Sequence, residues 1–148
     1  MLFNKLSKIY KNIGWEMELN SNESFLSVSY AGSNAEWTFV ATTDELNKIV
    51  VLFARLPHIC PPEKYAELSI FIDRANFGMS HGAWVIDRRD GEVRFRLGVD
   101  LQGMELTFEY VRSLTLYTNM TMDYYISGMK AIIIEGKNAQ EAFNLIHQ

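Results

Sequence analysis

The chain is poor in the residues that supply staples or chemistry. Its 148 residues contain one cysteine, three histidines and three prolines. A single cysteine, Cys60, excludes an intrachain disulfide and leaves a thiolate metal site short of ligands. His58, His81 and His147 fall in predicted loops or at the chain end, without the His-x-x-x-His or His-x-Glu spacing that aligns ligands on one element. No metal and no cofactor is expected. Positive charge is also scarce, with 14 Lys and Arg against 18 Asp and Glu and a net charge of -4. Surfaces that neutralise phosphate concentrate Lys and Arg, so nucleic acid is not an expected partner. No stretch reaches the ~18 uninterrupted apolar residues of a membrane span. Met1 to Trp15 lacks the continuous apolar core of a secretory signal. Together with the unpaired cysteine, these absences lead us to expect a cytoplasmic chain with no membrane partner.

What is present is an ordinary globular balance, 48% hydrophobic and 22% charged. Without a compositional break, a single domain over 1–148 is expected. Leu2, Phe3, Leu6, Ile9, Tyr10 and Ile13 recur at helical spacing, and Gly14 closes that helix. The period then changes. Phe25 to Ala31, Ala35 to Thr42 and Lys48 to Leu56 are short β-branched and aromatic runs separated by turn-forming residues, which predicts an antiparallel meander. Pro57, Pro61 and Pro62 stop the strands, and Pro62 is suited to open a helix over Glu63 to Phe77. Ala83 to Arg88 and Glu92 to Leu101 flank Asp90-Gly91, a hairpin turn; Val93, Phe95, Leu97, Val99 and Leu101 face one way, and Glu92, Arg94, Arg96 and Asp100 the other. Leu106 to Glu135 reads as one long helix or two abutting ones, weakened at Asn119 and Thr121. Asn138 and Glu141 have capping-box spacing before a last short helix. The fold class is α+β, an antiparallel β-sheet flanked by helices in the order α-βββ(β)-α-ββ-α-α.

The stretches Asn76-Phe77-Gly78, Gly82-Ala83-Trp84-Val85-Ile86-Asp87, Asp90-Gly91-Glu92-Val93-Arg94-Phe95-Arg96 and Asp123-Tyr124-Tyr125 resemble the core pattern of the YbjN family. That family comprises candidate regulators of bacterial sensory transduction, and its fold is shared with type III secretion chaperones. The resemblance is strongest from Pro57 to Gly136; before Trp37 it rests on element order. It implies a scaffold that binds protein, often as a dimer, with links to stress responses, and it carries over no catalytic residue.

The residues themselves offer little chemistry. Ser80, His81 and Asp87 lack the Gly-x-Ser-x-Gly elbow of a nucleophilic set, and Asp87 with Asp90 reads as hairpin structure. Cys60 sits between Ile59 and Pro61, a setting that raises a thiol pKa on burial. No glycine cluster forms a phosphate-cradling turn. Arg88, Arg89, Arg94 and Arg96 read as a solvated hairpin rim, with a binding patch as the alternative, and Met79, Met104, Met120, Met122 and Met129 as core filling, with an adaptable contact surface as the alternative.

The positive feature is apolar surplus on the strands. Trp37, Phe39 and Ala41 occupy one face of their strand; Ile49, Val51 and Phe53 oppose Val50, Leu52 and Ala54 on the next. Part of the second sheet face is therefore expected to meet another chain, the alternative being that the N-terminal and C-terminal helices cover it all. The expected protein-binding residues are Trp37, Phe39, Val51 and Phe53, with Tyr65 and Phe71 as dimer contacts. The function expected is non-enzymatic binding of a protein partner or client, with a homodimer as one form of it and a chaperone-like or regulatory role in bacterial stress or signalling. Two alternatives are a secretion chaperone dedicated to one client and a small-molecule sensor with a pocket lined by Tyr110, Tyr117 and Met129.

Overall fold

The computed structural model describes residues 1–147. Helix α1 (Leu2–Ile13) leads into strands β1 (Glu18–Asn20), β2 (Phe25–Ala31), β3 (Glu36–Asp44) and β4 (Ile49–Arg55). A 3-10 turn at Pro62–Lys64 opens α2 (Tyr65–Phe77), followed by the hairpin β5 (Ala83–Asp87) and β6 (Glu92–Asp100), then α3 (Phe108–Ile133) and α4 (Ala139–Ile146). The strands form one six-stranded antiparallel sheet in the order β1-β2-β3-β4-β6-β5. The α2 crossover brings the hairpin back so that β6 pairs with β4. β1, three exposed residues long, carries no periodic signal and escapes the sequence reading.

Register decides which residues meet the helices. Phe39 pairs with Ala54 and Ala54 with Phe95, so Val28, Phe39, Ala54, Phe95 and Trp84 form one row on one face. Two hydrophobic clusters grow on that face. One joins Trp37, Trp84 and Phe95 to α2, α3 and α4 through Phe71, Ile126, Met129 and Phe143. The other joins Leu26, Phe39, Leu52 and Leu97 to α1 and α3 through Leu6, Tyr10, Val111 and Leu114. All four helices thus contribute to cores on the same side of the sheet.

Several carboxylates tie helix ends to distant turns. Glu45, in the β3–β4 turn, accepts from the backbone N–H groups of Leu2 and Phe3 at 3.1 and 2.8 Å and so caps α1, whose first turn has no acidic residue of its own. Glu67 accepts from Ala139 N at 3.0 Å, supplementing the capping box of Asn138 and Glu141 at α4. Asp123 accepts from Ser33 N and Asn34 N at 3.1 and 3.0 Å, pinning the β2–β3 turn to α3.

α3 is a single helix of 26 residues despite its polar middle. Thr118 and Thr121 donate to the carbonyls of Leu114 and Tyr117, and Asn119 Nδ2 donates to Thr115 O. Asn119 Oδ1 in turn accepts from Trp37 Nε1 at 2.8 Å, and the Tyr10 hydroxyl lies 2.8 Å from that of Thr115. Each buried polar side chain of the weak stretch therefore has a partner that a break would remove, and tertiary contact overrides propensity.

Candidate functional site

The sheet face opposite the helices carries, across β2, β3, β4, β6 and β5, the rows Ser29–Thr38–Arg55–Arg94–Val85 and Ser27–Val40–Phe53–Arg96–Ala83. A third row runs Phe25–Thr42–Val51–Gly98. None of these apolar residues belongs to either helix-bound core. The face is nevertheless not a bare apolar plane. Val40 and Phe53 are buried, and the Arg94 guanidinium lies 3.9 Å from the centroid of the Phe53 ring. Val51, Phe25 and Val85 are half-buried among Thr, Ser and Arg neighbours.

Trp37 and Phe39 lie on the other side. They are 3% and 0% exposed beneath the helices, so their assignment to a partner-binding surface is corrected. The reason is the register: pairing with β4 and β6 turns the largest residues of β3 toward the helical layer and leaves Thr38, Val40 and Thr42 outside. Val51 and Phe53 do occupy the face without helices. Phe71 is also corrected as a dimer contact, because it is fully buried and packs 4.6 Å, centroid to centroid, from Phe143. Tyr65 remains partly accessible at the start of α2, its hydroxyl donating to Arg88 O at 3.3 Å.

A second surface feature lies on the outer side of α3. Met79, Leu116, Tyr117, Met120, Tyr124 and Tyr125 line a groove of about 570 Å³, with Arg112 at its margin. Phe108, Arg112, Leu116, Met120 and Tyr124 are four residues apart, a ridge off the core stripe, and Met120 is 67% exposed. Core filling, the first of the two readings of the methionines, holds for Met122 and Met129, both fully buried, while Met79 and Met120 line this groove. The sequence reading also grouped Tyr110, Tyr117 and Met129 in one pocket; Met129 is sealed inside and Tyr110 packs into the α1 cluster, so that pocket does not form.

The residues weighed for chemistry are placed apart. Ser80 Oγ lies 3.2 Å from His81 Nδ1, while the His81 ring stacks on Tyr117 with centroids 4.0 Å apart. Asp87, at the far end of β5, is taken up by Arg89, whose hydrogen bonds hold its carboxyl down at about 2. Burial, reinforced by Glu63, pushes the Cys60 thiol up. Among the described residues no group of three or more His, Cys, Asp or Glu could hold a metal ion. None of their helices is long and apolar enough to cross a membrane.

The motif residues instead build the fold. Asn76 Nδ2 donates to Trp84 O at 3.0 Å and its Oδ1 accepts from Trp84 N at 2.7 Å, so one side-chain amide takes the place of a neighbouring strand at the free edge of β5. Gly91, at φ +83°, brings the hairpin turn against the Cys60 carbonyl, where a Cβ would collide. No family model matches the chain, and no curated protein matches its sequence. Among solved structures, YbjN from E. coli, described as a candidate transcription regulator, superposes with a TM-score of 0.63 over 90% of this chain and 89% of that one, at 10% identity.

The chain folds like YbjN. A chain from the HopA1–SchA chaperone–effector complex is also similar, with a TM-score of 0.56 and 9% identity over 80% of this chain and 88% of that one. The likeness to YbjN and to the chaperone complex expected from the sequence therefore holds at the level of fold, an α+β sheet with four helices.

Proposed function

We propose that the chain is a non-enzymatic, cytoplasmic protein-binding domain, using residues 1–148 as one unit in a chaperone-like or regulatory role. The observation that carries this reading is the one-sided architecture: all helices contribute to cores on one side, leaving Val51, Phe53 and their neighbours on a sheet face without helical cover. Large exposed or half-exposed sheet faces are surfaces on which protein partners dock. The solved structures of similar fold, one described as a regulator and the other as part of a chaperone–effector complex, support binding over catalysis as analogy. A second copy of the chain is one form the partner takes, with Tyr65 at its margin.

The test is affinity purification from the native cell with wild type, Val51→Asp on the open face and Asn144→Asp on α4. Val51→Asp loses the specific partners and Asn144→Asp keeps them. Loss in neither variant, or in Asn144→Asp alone, overturns the placement.

The α3 groove favours one second reading, a small-molecule site, because its volume falls within the range of ligand pockets. A metabolite that raises the melting temperature of wild type and not of Met120→Glu supports it.

A further inference from the structure

We propose that the open sheet face takes an acidic, extended protein segment that presents, at every second position on one side, two carboxylates and then an aliphatic side chain. The proposal rests on the binding reading above and adds the chemistry of the partner.

The chain carries a net charge of -4, yet three guanidiniums gather on this one face. Arg55 and Arg94 are directly opposed across β4 and β6, and Arg96 follows two residues along, opposite Phe53. Like charges so placed repel. One carboxylate separates them: Glu92 Oε1 lies 3.7 Å from Arg55, and Glu92 Oε2 accepts from Arg94 Nε at 2.8 Å. Arg96 is exposed and makes no ion pair among the described residues. The other carboxylates nearby are committed or remote. Asp87 is held by Arg89, Asp100 accepts from Gln102 N at 2.9 Å, Asp44 accepts from Asn47, and Glu36 sits at the end of its strand.

Beside the cations the face has a dent. Gly98 pairs with Val51, and nothing lies within 4 Å of where its Cβ would stand. Rows along a strand recur every two residues, about 6.6 Å, which is the spacing at which an extended segment presents side chains on one side. A segment lying along β4 and β6 therefore sets one carboxylate over Arg55 and Arg94, a second over Arg96, and an aliphatic group over Val51 and Gly98. Arginine suits such carboxylates because it donates two parallel hydrogen bonds. A nucleic acid would meet the same arginines, but it carries a charge at every nucleotide, which the acidic residues at the strand ends oppose.

The test uses the full chain and fluorescence anisotropy of a labelled ten-residue peptide, Glu-Ser-Glu-Ser-Val-Ser-Glu-Ser-Glu-Ser, which when extended sets its Glu and Val side chains on one side. The comparison probes are the same peptide with Gln for every Glu, and a labelled ten-nucleotide thymidine strand. Wild type binds the Glu peptide saturably and the Gln peptide at least about tenfold more weakly, with the difference shrinking in high salt. Arg96→Glu weakens the Glu peptide by about tenfold or more, and Arg96→Gln, with an unchanged circular-dichroism spectrum, weakens it less. Lys8→Glu, exposed on α1, binds as wild type. Absence of saturable Glu-peptide binding, preference for the oligonucleotide, or Arg96→Glu behaving as wild type overturns the proposal. Equal binding of both peptides that Val51→Asp abolishes refutes the acidic partner alone; peptide binding that Val51→Asp leaves untouched refutes the face as well.

Discussion

Replacing Asn76 with alanine tests how the sheet is terminated. The Asn76 amide is the partner of both the N–H and the C=O of Trp84, a residue 1% exposed on the edge strand β5. Each bond contributes about 0.5–1.5 kcal/mol net, and an orphaned buried group costs about 1–3 kcal/mol. Asn76 itself is half-buried, so water reaches part of the vacated site, and we expect a loss of about 2–3 kcal/mol. With an urea m-value of about 1.5–2 kcal/mol/M for a domain of this size, the midpoint falls by about 1–2 M at unchanged m. Asn76→Asp keeps the acceptor and places a carboxylate oxygen against the Trp84 carbonyl, so it is at least as damaging. Equilibrium urea unfolding followed by tryptophan fluorescence reads both. The freed edge also invites self-association, visible as concentration-dependent light scattering. A midpoint shift below about 0.3 M for the alanine variant refutes the role of strand substitute.

Gly91→Ala combines a positive φ with a collision at the Cys60 carbonyl, and we expect about 2–4 kcal/mol of destabilisation in thermal unfolding; a neutral result contradicts the close approach. Trp37→Phe leaves Asn119 Oδ1 buried without its donor, at about 1–3 kcal/mol, where an exposed partner-binding tryptophan would cost almost nothing on truncation. Glu45 is held below the ordinary carboxylate range chiefly by the Phe3 backbone N–H. A depressed folded pKa gives stability that is present above the unfolded value and is lost as pH falls through the folded one. Glu45→Gln therefore weakens the chain near neutrality and flattens the acid limb of its stability profile below about pH 4.3; a parallel, undiminished limb contradicts the capping role.

Every element but β1 is legible because it carries a local signal. Gly14 closes α1, Pro62 opens the turn into α2, Asp90-Gly91 turns the last hairpin, and Asn138 with Glu141 caps α4. Which face of the sheet the helices cover was not legible from β3 and β4, because both faces of β4 are apolar. β6 holds the answer: its strict alternation fixes Val93, Phe95 and Leu97 inward, and the pairing of Leu52 with Leu97 transfers that choice to β4 and then to β3. Pairing β4 with β6 requires knowing the crossover, which no local pattern gives. The same holds for Asp123 and Glu45, whose partners are 90 and 42 residues away. The α3 ridge from Phe108 to Tyr124 had a signal, a four-residue apolar spacing off the core stripe, that was absorbed into a single wide helical face.

The central claim is that partners meet the side of the sheet that the helices leave open. A photo-reactive residue placed at Val51, and in a separate variant at Asn144 on α4, tests it in the native cell. Irradiation is expected to give discrete protein adducts from position 51 and none from position 144; adducts from 144 alone, or identical adducts from both, contradict the account.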